Sequence, residues 1–240
     1  MRSATACTAT FIGPRHLLTA GHCIVDRSKG VPHPGFEIVS RYDLGKSADG
    51  APFIATRAWV PADQWILTNP LDALVTPEKC SDYAVVEIDR VSPPAIGWLG
   101  LRHQPAPGLL HRFSYPHRSA ADLISPAPPG ANAEDVAFID KERADTLRRE
   151  AEFAPSNLYY EYGKPDAVEP SHFVDRNGYA LPGRSGAALI DSTGAIVGLL
   201  SRTYDGATYT CRLTPAEIGA IMAIVESRSA GPPPKSTSRN

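Results

Sequence analysis

The segment Thr19-Ala20-Gly21-His22-Cys23, with a second cysteine upstream at Cys7, constrains this chain more than any other stretch. It follows the apolar run Ala9 to Leu18, broken in the middle by Gly13-Pro14. That pattern predicts two short strands joined by a Gly-Pro turn. A histidine just past a strand end stands on a rigid support. A bridge between Cys7 and Cys23 would pin the loop that carries it. The remaining chain then becomes a search for groups that could work with this imidazole.

Two later segments qualify. Asp82-Tyr83-Ala84-Val85-Val86-Glu87-Ile88 is an aspartate opening a mostly apolar strand. A carboxylate at a strand mouth can be shielded from water while it accepts a histidine N–H, fixing the tautomer and stabilising an imidazolium. Gly183-Arg184-Ser185-Gly186-Ala187-Ala188-Leu189-Ile190 places a serine in a glycine turn before another apolar strand. It departs from the Gly-x-Ser-x-Gly elbow of other hydrolases, because Ala187 stands where that motif ends in glycine. Gly183 suits a tight turn whose backbone N–H must point inward.

Together these segments, in the order His, Asp, Ser, resemble the trypsin-like serine proteases of the chymotrypsin fold, and are closer to bacterial secreted members than to digestive trypsins. The resemblance implies an all-β chain of two six-stranded antiparallel Greek-key barrels. Residues 1–95 would form the first barrel, with His22 and Asp82. Residues 96–228 would form the second, with Ser185, and 229–240 a disordered tail. It implies a Ser185 nucleophile, a His22 base, an orienting Asp82, and an oxyanion hole from the N–H groups of Gly183 and Ser185. Tyr179 and Ala180 would line the specificity pocket, and Ser201, Arg202 and Thr203 would pair with substrate. Cys7 would bridge Cys23. Cys80 would meet Cys211 near the aspartate, the alternative being two buried free thiols. The expected activity is a serine endopeptidase working through an acyl-enzyme on polypeptides, as a monomer and without cofactor. The alternatives are a catalytically silent protein-binding module or a serine esterase on the same fold.

The intervening chain reads as strands at 36–42, 53–61, 109–116, 158–162, 194–202 and 207–213. The stretches 43–52 and 64–79 read as a polar turn and a long connection, and 91–108 as the crossing between barrels. Residues 133–153 mix Val136, Ile139, Leu147 and Ala151 with many charges, which predicts an amphipathic helical insertion. Pro215 to Ser227 predicts a terminal helix with Thr214 as its cap.

Composition excludes other classes. The chain has 240 residues and a net charge of −2, without a polybasic run, so nucleic acid and anionic membranes are not expected partners. No apolar run is long enough to span a bilayer. Four cysteines in two bridges point to a secreted or otherwise oxidising location. The N-terminus, Met1-Arg2-Ser3-Ala4-Thr5-Ala6, lacks a signal peptide's apolar core, and relatives carry about one more strand before the first cysteine. The expectation is a first barrel that lacks one strand or borrows it.

Several departures from the family matter. Arg184 occupies the place where the trypsin branch has an aspartate that pairs with a new N-terminus, so that activation switch is not expected. Tyr179, at the pocket floor, argues against Arg or Lys specificity, and Thr203 replaces a glycine, which favours a small or apolar side chain. His172 is read as structural. His16, His33, His103, His111 and His117 are read as solvated. No metal site is expected, since neither Cys-x-x-Cys nor His-Glu-x-x-His occurs.

Overall fold

A computed structural model describes residues 7–26, 51–61, 79–116, 158–176, 183–204 and 207–229. It also describes shorter stretches between 31 and 47, at 75–76 and between 132 and 144. Two curled antiparallel sheets and a C-terminal helix form the frame, with three two-stranded pairs outside them among the described residues: 25–26 with 31–32, 42–43 with 46–47, and 75–76 with 79–80.

The first sheet holds β1 (Thr10–Gly13), β2 (His16–Thr19), β3 (Glu37–Ile38), β4 (Phe53–Trp59) and β5 (Ala84–Ile88), in the order β1-β2-β5-β4-β3. The Gly13-Pro14-Arg15 turn closes the β1–β2 hairpin, as its two breakers require. The second sheet holds β6 (Leu110–Ser114), β7 (Tyr159–Gly163), β8 (Ala167–Val168), β9 (His172–Asp175), β10 (Ala188–Ile190), β11 (Ile196–Tyr204) and β12 (Ala207–Arg212). Their order is β7-β6-β10-β11-β12-β9-β8. The sheets therefore have five and seven strands among the described residues, where the resemblance implied six each, with the first lacking or borrowing one. The second sheet includes a hairpin of 167–168 with 172–175, for which the sequence analysis names no strand.

The buried apolar side chains of these strands form several clusters, among them one around Leu17, Phe53 and Ile88 and one around Leu110, Phe173 and Val197, and one cluster joins the two sheets. Ile12, Leu18 and Val85 from the first sheet meet Ala188, Ile196 and Leu199 from the second, with Leu213, Ile221 and Val225 around the terminal helix. The crossing segment ties the sheets further: Leu99 N–H donates to Phe11 C=O at 2.9 Å, and Ile196 N–H to Gly100 C=O at 2.8 Å. Burying this seam fixes one sheet against the other, so a site built from both has little freedom.

The terminal helix spans Pro215–Ser229 and starts as predicted. Glu217 N–H donates to Thr214 Oγ1 at 3.2 Å, and Glu217 Oε2 accepts from Thr214 N–H at 2.8 Å, a reciprocal capping box. The predicted insertion is helical at its described residues between 133 and 144. Among its described residues Phe138 is 65% exposed and Val136 is exposed, while Ile139 is half-buried; Leu147 and Ala151 lie outside the described residues.

Other expectations are revised. Of the predicted strand over 36–42, 37–38 pairs with β4 and 42–43 with 46–47 inside the expected turn, while 36, 40 and 41 lie outside the described residues. Asp82 lies two residues ahead of its strand rather than opening it. His16 is buried in β2, opposite Glu87 and near the Trp59 ring, not solvated, and burial lowers its pKa. His103 is tied to the Leu213 carbonyl, and His111 to the Tyr160 hydroxyl. His33 and His117 lie outside the described residues.

Candidate active site

The histidine loop is built where β2 ends. Ala20 stays extended, then Gly21–Cys23 makes a single 3-10 turn, with Cys23 N–H donating to Ala20 C=O at 3.1 Å. The Cys7–Cys23 disulfide, with Cα atoms 6.2 Å apart, fastens this turn to the chain entering β1. His22 is thereby presented at the seam with its ring 13% exposed.

Asp82 meets it from the loop before β5, which is itself paired with β2. Its carboxylate is nearly sealed from solvent and accepts three hydrogen bonds. His22 N–H donates to Oδ1 at 2.9 Å, the His22 Nδ1 lies 2.7 Å from Oδ2, and Ser201 Oγ donates to Oδ2 at 2.5 Å. Burial alone would push this carboxyl up. The charge of His22 and the hydrogen bonds from His22 and Ser201 outweigh it, and the pKa falls below the usual carboxylate range. Asp82 is therefore ionised and acceptor-only, so Nδ1 must carry the imidazole proton and Nε2 the free lone pair. The Cys80–Cys211 disulfide, Cα atoms 5.4 Å apart, ties this loop to β12 of the other sheet.

Ser185 comes from the loop before β10. Gly183 and Gly186 both have positive φ, 89° and 81°, which a residue with a Cβ resists. Gly186 also packs hard against the histidine side. A Cβ there would lie 2.3 Å from Thr19 Oγ1, 2.4 Å from the Thr8 carbonyl and 2.7 Å from the Ala20 nitrogen. Thr8 staples the loop further: its N–H donates to Ser185 C=O, and its hydroxyl to Gly183 C=O, both at 2.8 Å. One residue past the serine thus touches backbone two residues before His22, which brings the two loops to one place.

Of the expected substrate contacts, Tyr179 and Ala180 lie outside the described residues. Ser201, Arg202 and Thr203 lie on β11, beside the site. Ser201 directs its hydroxyl to Asp82, and the Arg202 guanidinium sits 5.2 Å over the Tyr209 ring. Among the described residues, two groups of histidine and cysteine have ligand atoms within 4.8 Å of one another: Cys7, His22 and Cys23, and Cys80, His172 and Cys211. In both, the sulfurs are joined as a disulfide and offer no thiolate to a metal. Sequence reasoning missed Thr8 and the tie from Ser201 to Asp82; neither has a local signature.

The profile of the trypsin-like peptidase domain family matches residues 7–199. The chain belongs to this family. Solved structures share the fold. A Glu endopeptidase solved in complex with MPD superposes with a TM-score of 0.66 at 17% identity, covering 94% of this chain and 88% of that one. Human heparin binding protein gives 0.57 at 15%, covering 93% and 86%. Mouse neuropsin, a serine protease, gives 0.55 at 12%, covering 91% and 88%. No curated protein matches the chain. Family membership agrees with the double-sheet architecture and with the paired cysteines. No described helix is long and apolar enough to cross a membrane.

Proposed function

We propose that this chain is a serine endopeptidase in which Ser185, His22 and Asp82 form the catalytic triad. The observation that carries the reading is the buried Asp82 carboxylate holding His22 by two hydrogen bonds, with the Ser185 loop packed on the same turn. His22 Nε2 takes the proton from Ser185 Oγ as the hydroxyl attacks a peptide carbonyl carbon. The developing oxyanion is stabilised by the N–H groups of Gly183 and Ser185, each worth about 2.7–4 kcal/mol of barrier. The imidazolium then protonates the leaving amine, and an acyl-enzyme remains on Ser185. Water, activated by the same nitrogen, hydrolyses it. Asp82 supports the imidazolium throughout without itself taking the proton. Two disulfides suit work in an oxidising compartment.

Cleavage of a peptide library, read by mass spectrometry, tests this reading. Expected is amide cleavage by the native chain, lost in both Ser185→Ala and His22→Ala. Hydrolysis of esters without any peptide cleavage would favour an esterase. No turnover of either would favour a silent module.

A further inference from the structure

We propose that the buried ion pair between Arg184 and Glu161 holds the nucleophile loop in its working shape, making both side chains positioning residues for Ser185. The inference rests on the reading of Ser185 as nucleophile.

Arg184 immediately precedes Ser185, yet its side chain is 1% exposed. Arginine is almost never buried unless paired, so its inward course needs a partner. The partner is β7: Arg184 Nη2 lies 2.5 Å from Glu161 Oε1, and the guanidinium sits 5.3 Å over the Tyr159 ring. Its Nε donates to Ser114 Oγ on β6 at 3.3 Å. The same Glu161 oxygen also takes the Arg112 guanidinium, which donates on to Thr210 Oγ1 of β12 at 2.6 Å. One carboxylate thus pairs with two buried cations, and two strands of the second sheet, β6 and β7, hold the residue beside the serine, with β12 reached through Arg112.

The backbone shows what this anchor controls. Ala187 N–H donates to Arg184 C=O at 2.9 Å. That bond orients the planar peptide between 184 and 185, and with it the Ser185 N–H assigned to the oxyanion. The Arg184 Cα is the pivot of that plane. Thr8 clamps the loop from the first sheet, through Gly183 and Ser185, while Arg184 clamps it from the second. Without Glu161, Arg184 and Arg112 lose the carboxylate they share, and their like charges face each other inside the fold. The cheapest relief swings Arg184 towards water and turns the 184–185 peptide with it. The anchor lies wholly inside the chain.

Glu161→Gln, which keeps the shape and removes the charge, provides the test, with Arg184→Lys as a second variant. Each is folded by far-UV circular dichroism before assay, then measured for kcat, KM and the rate of Ser185 modification by a fluorophosphonate. Expected is a fall of about 100-fold in kcat and in labelling rate, the size of losing one oxyanion donor, with KM within twofold. Arg184→Lys, which keeps the charge but loses the fork, should fall between that variant and the native chain. Native rates in either folded variant would overturn the proposal. So would failure of both to fold, because the pair would then hold the sheet and not the loop. If the native chain itself takes no label, the reading of Ser185 fails first, and the two failures are told apart by that control.

Discussion

Acidification from pH 7 to 4 should cost this protein about 3 kcal/mol of stability through His172 alone. The ring is 1% exposed on β9. Its Nδ1 is hydrogen-bonded with Ser171 Oγ at 2.6 Å, and Nε2 has no hydrogen-bond partner among the described residues. The Tyr209 ring meets it edge-on at 6.0 Å. Burial, and then the charge of Arg202, lower its pKa to about 4. In the unfolded chain an imidazole titrates near ~6.5. Between these values the unfolded state binds a proton that the folded state refuses, so stability rises with pH across that window. It is complete above the unfolded value, declines as pH falls, and levels off below the folded value. The gap of roughly 2.5 units, at ~1.36 kcal/mol each, gives about 3 kcal/mol. Asp191, lowered to about 2, and Asp82, also lowered, have the same sign but act only below the usual carboxylate pKa. His16 is lowered as well and overlaps the window, so the comparison must be differential. Urea unfolding of the native chain and of His172→Phe, disulfides intact, at several pH values from 7 to 4 isolates the effect. The stability difference between the two should shift by about 3 kcal/mol in favour of the variant as pH falls. A difference that stays constant over that range would refute the reasoning.

Two further outcomes follow from the site. Asp82→Asn should lower kcat by about 10⁴-fold with the fold retained, because an amide facing Nδ1 favours the wrong tautomer; pre-steady-state and steady-state rates on one peptide check it. Gly186→Ala should slow Ser185 labelling at least ~100-fold or cost roughly 3 kcal/mol, since its Cβ would meet Thr19, Thr8 and Ala20 at under 3 Å on a backbone with φ +81°. Labelling rate and urea unfolding measured together check both branches.

Much of this was legible in the sequence because the signals are local. Breakers at Gly13-Pro14 bounded the β1–β2 hairpin, and Thr214-Pro215 announced the terminal helix. The histidine, aspartate and serine segments each carry a recognisable neighbourhood, and His22 and Asp82 are in hydrogen-bond contact. What stayed hidden depends on partners distant in the chain. The Thr8 hydroxyl reaches Gly183 across 175 positions, and Ser201 reaches Asp82 across 119. His16 looked polar and terminal, but its register opposite Glu87 in a three-strand stack puts it inside. Arg184 was visible only as a departure from the trypsin pattern; nothing near it in sequence names Glu161 as its counter-ion. The extra hairpin at 167–168 and 172–175 was lost because its strands are too short for alternation to show.

The most direct measurement is peptide mapping after exposure to a fluorophosphonate. One adduct per native chain, located on Ser185 and absent from His22→Ala under the same conditions, is the predicted result. An adduct on another residue, or equal labelling of Ser185 once His22 is removed, would show that these three side chains do not act together.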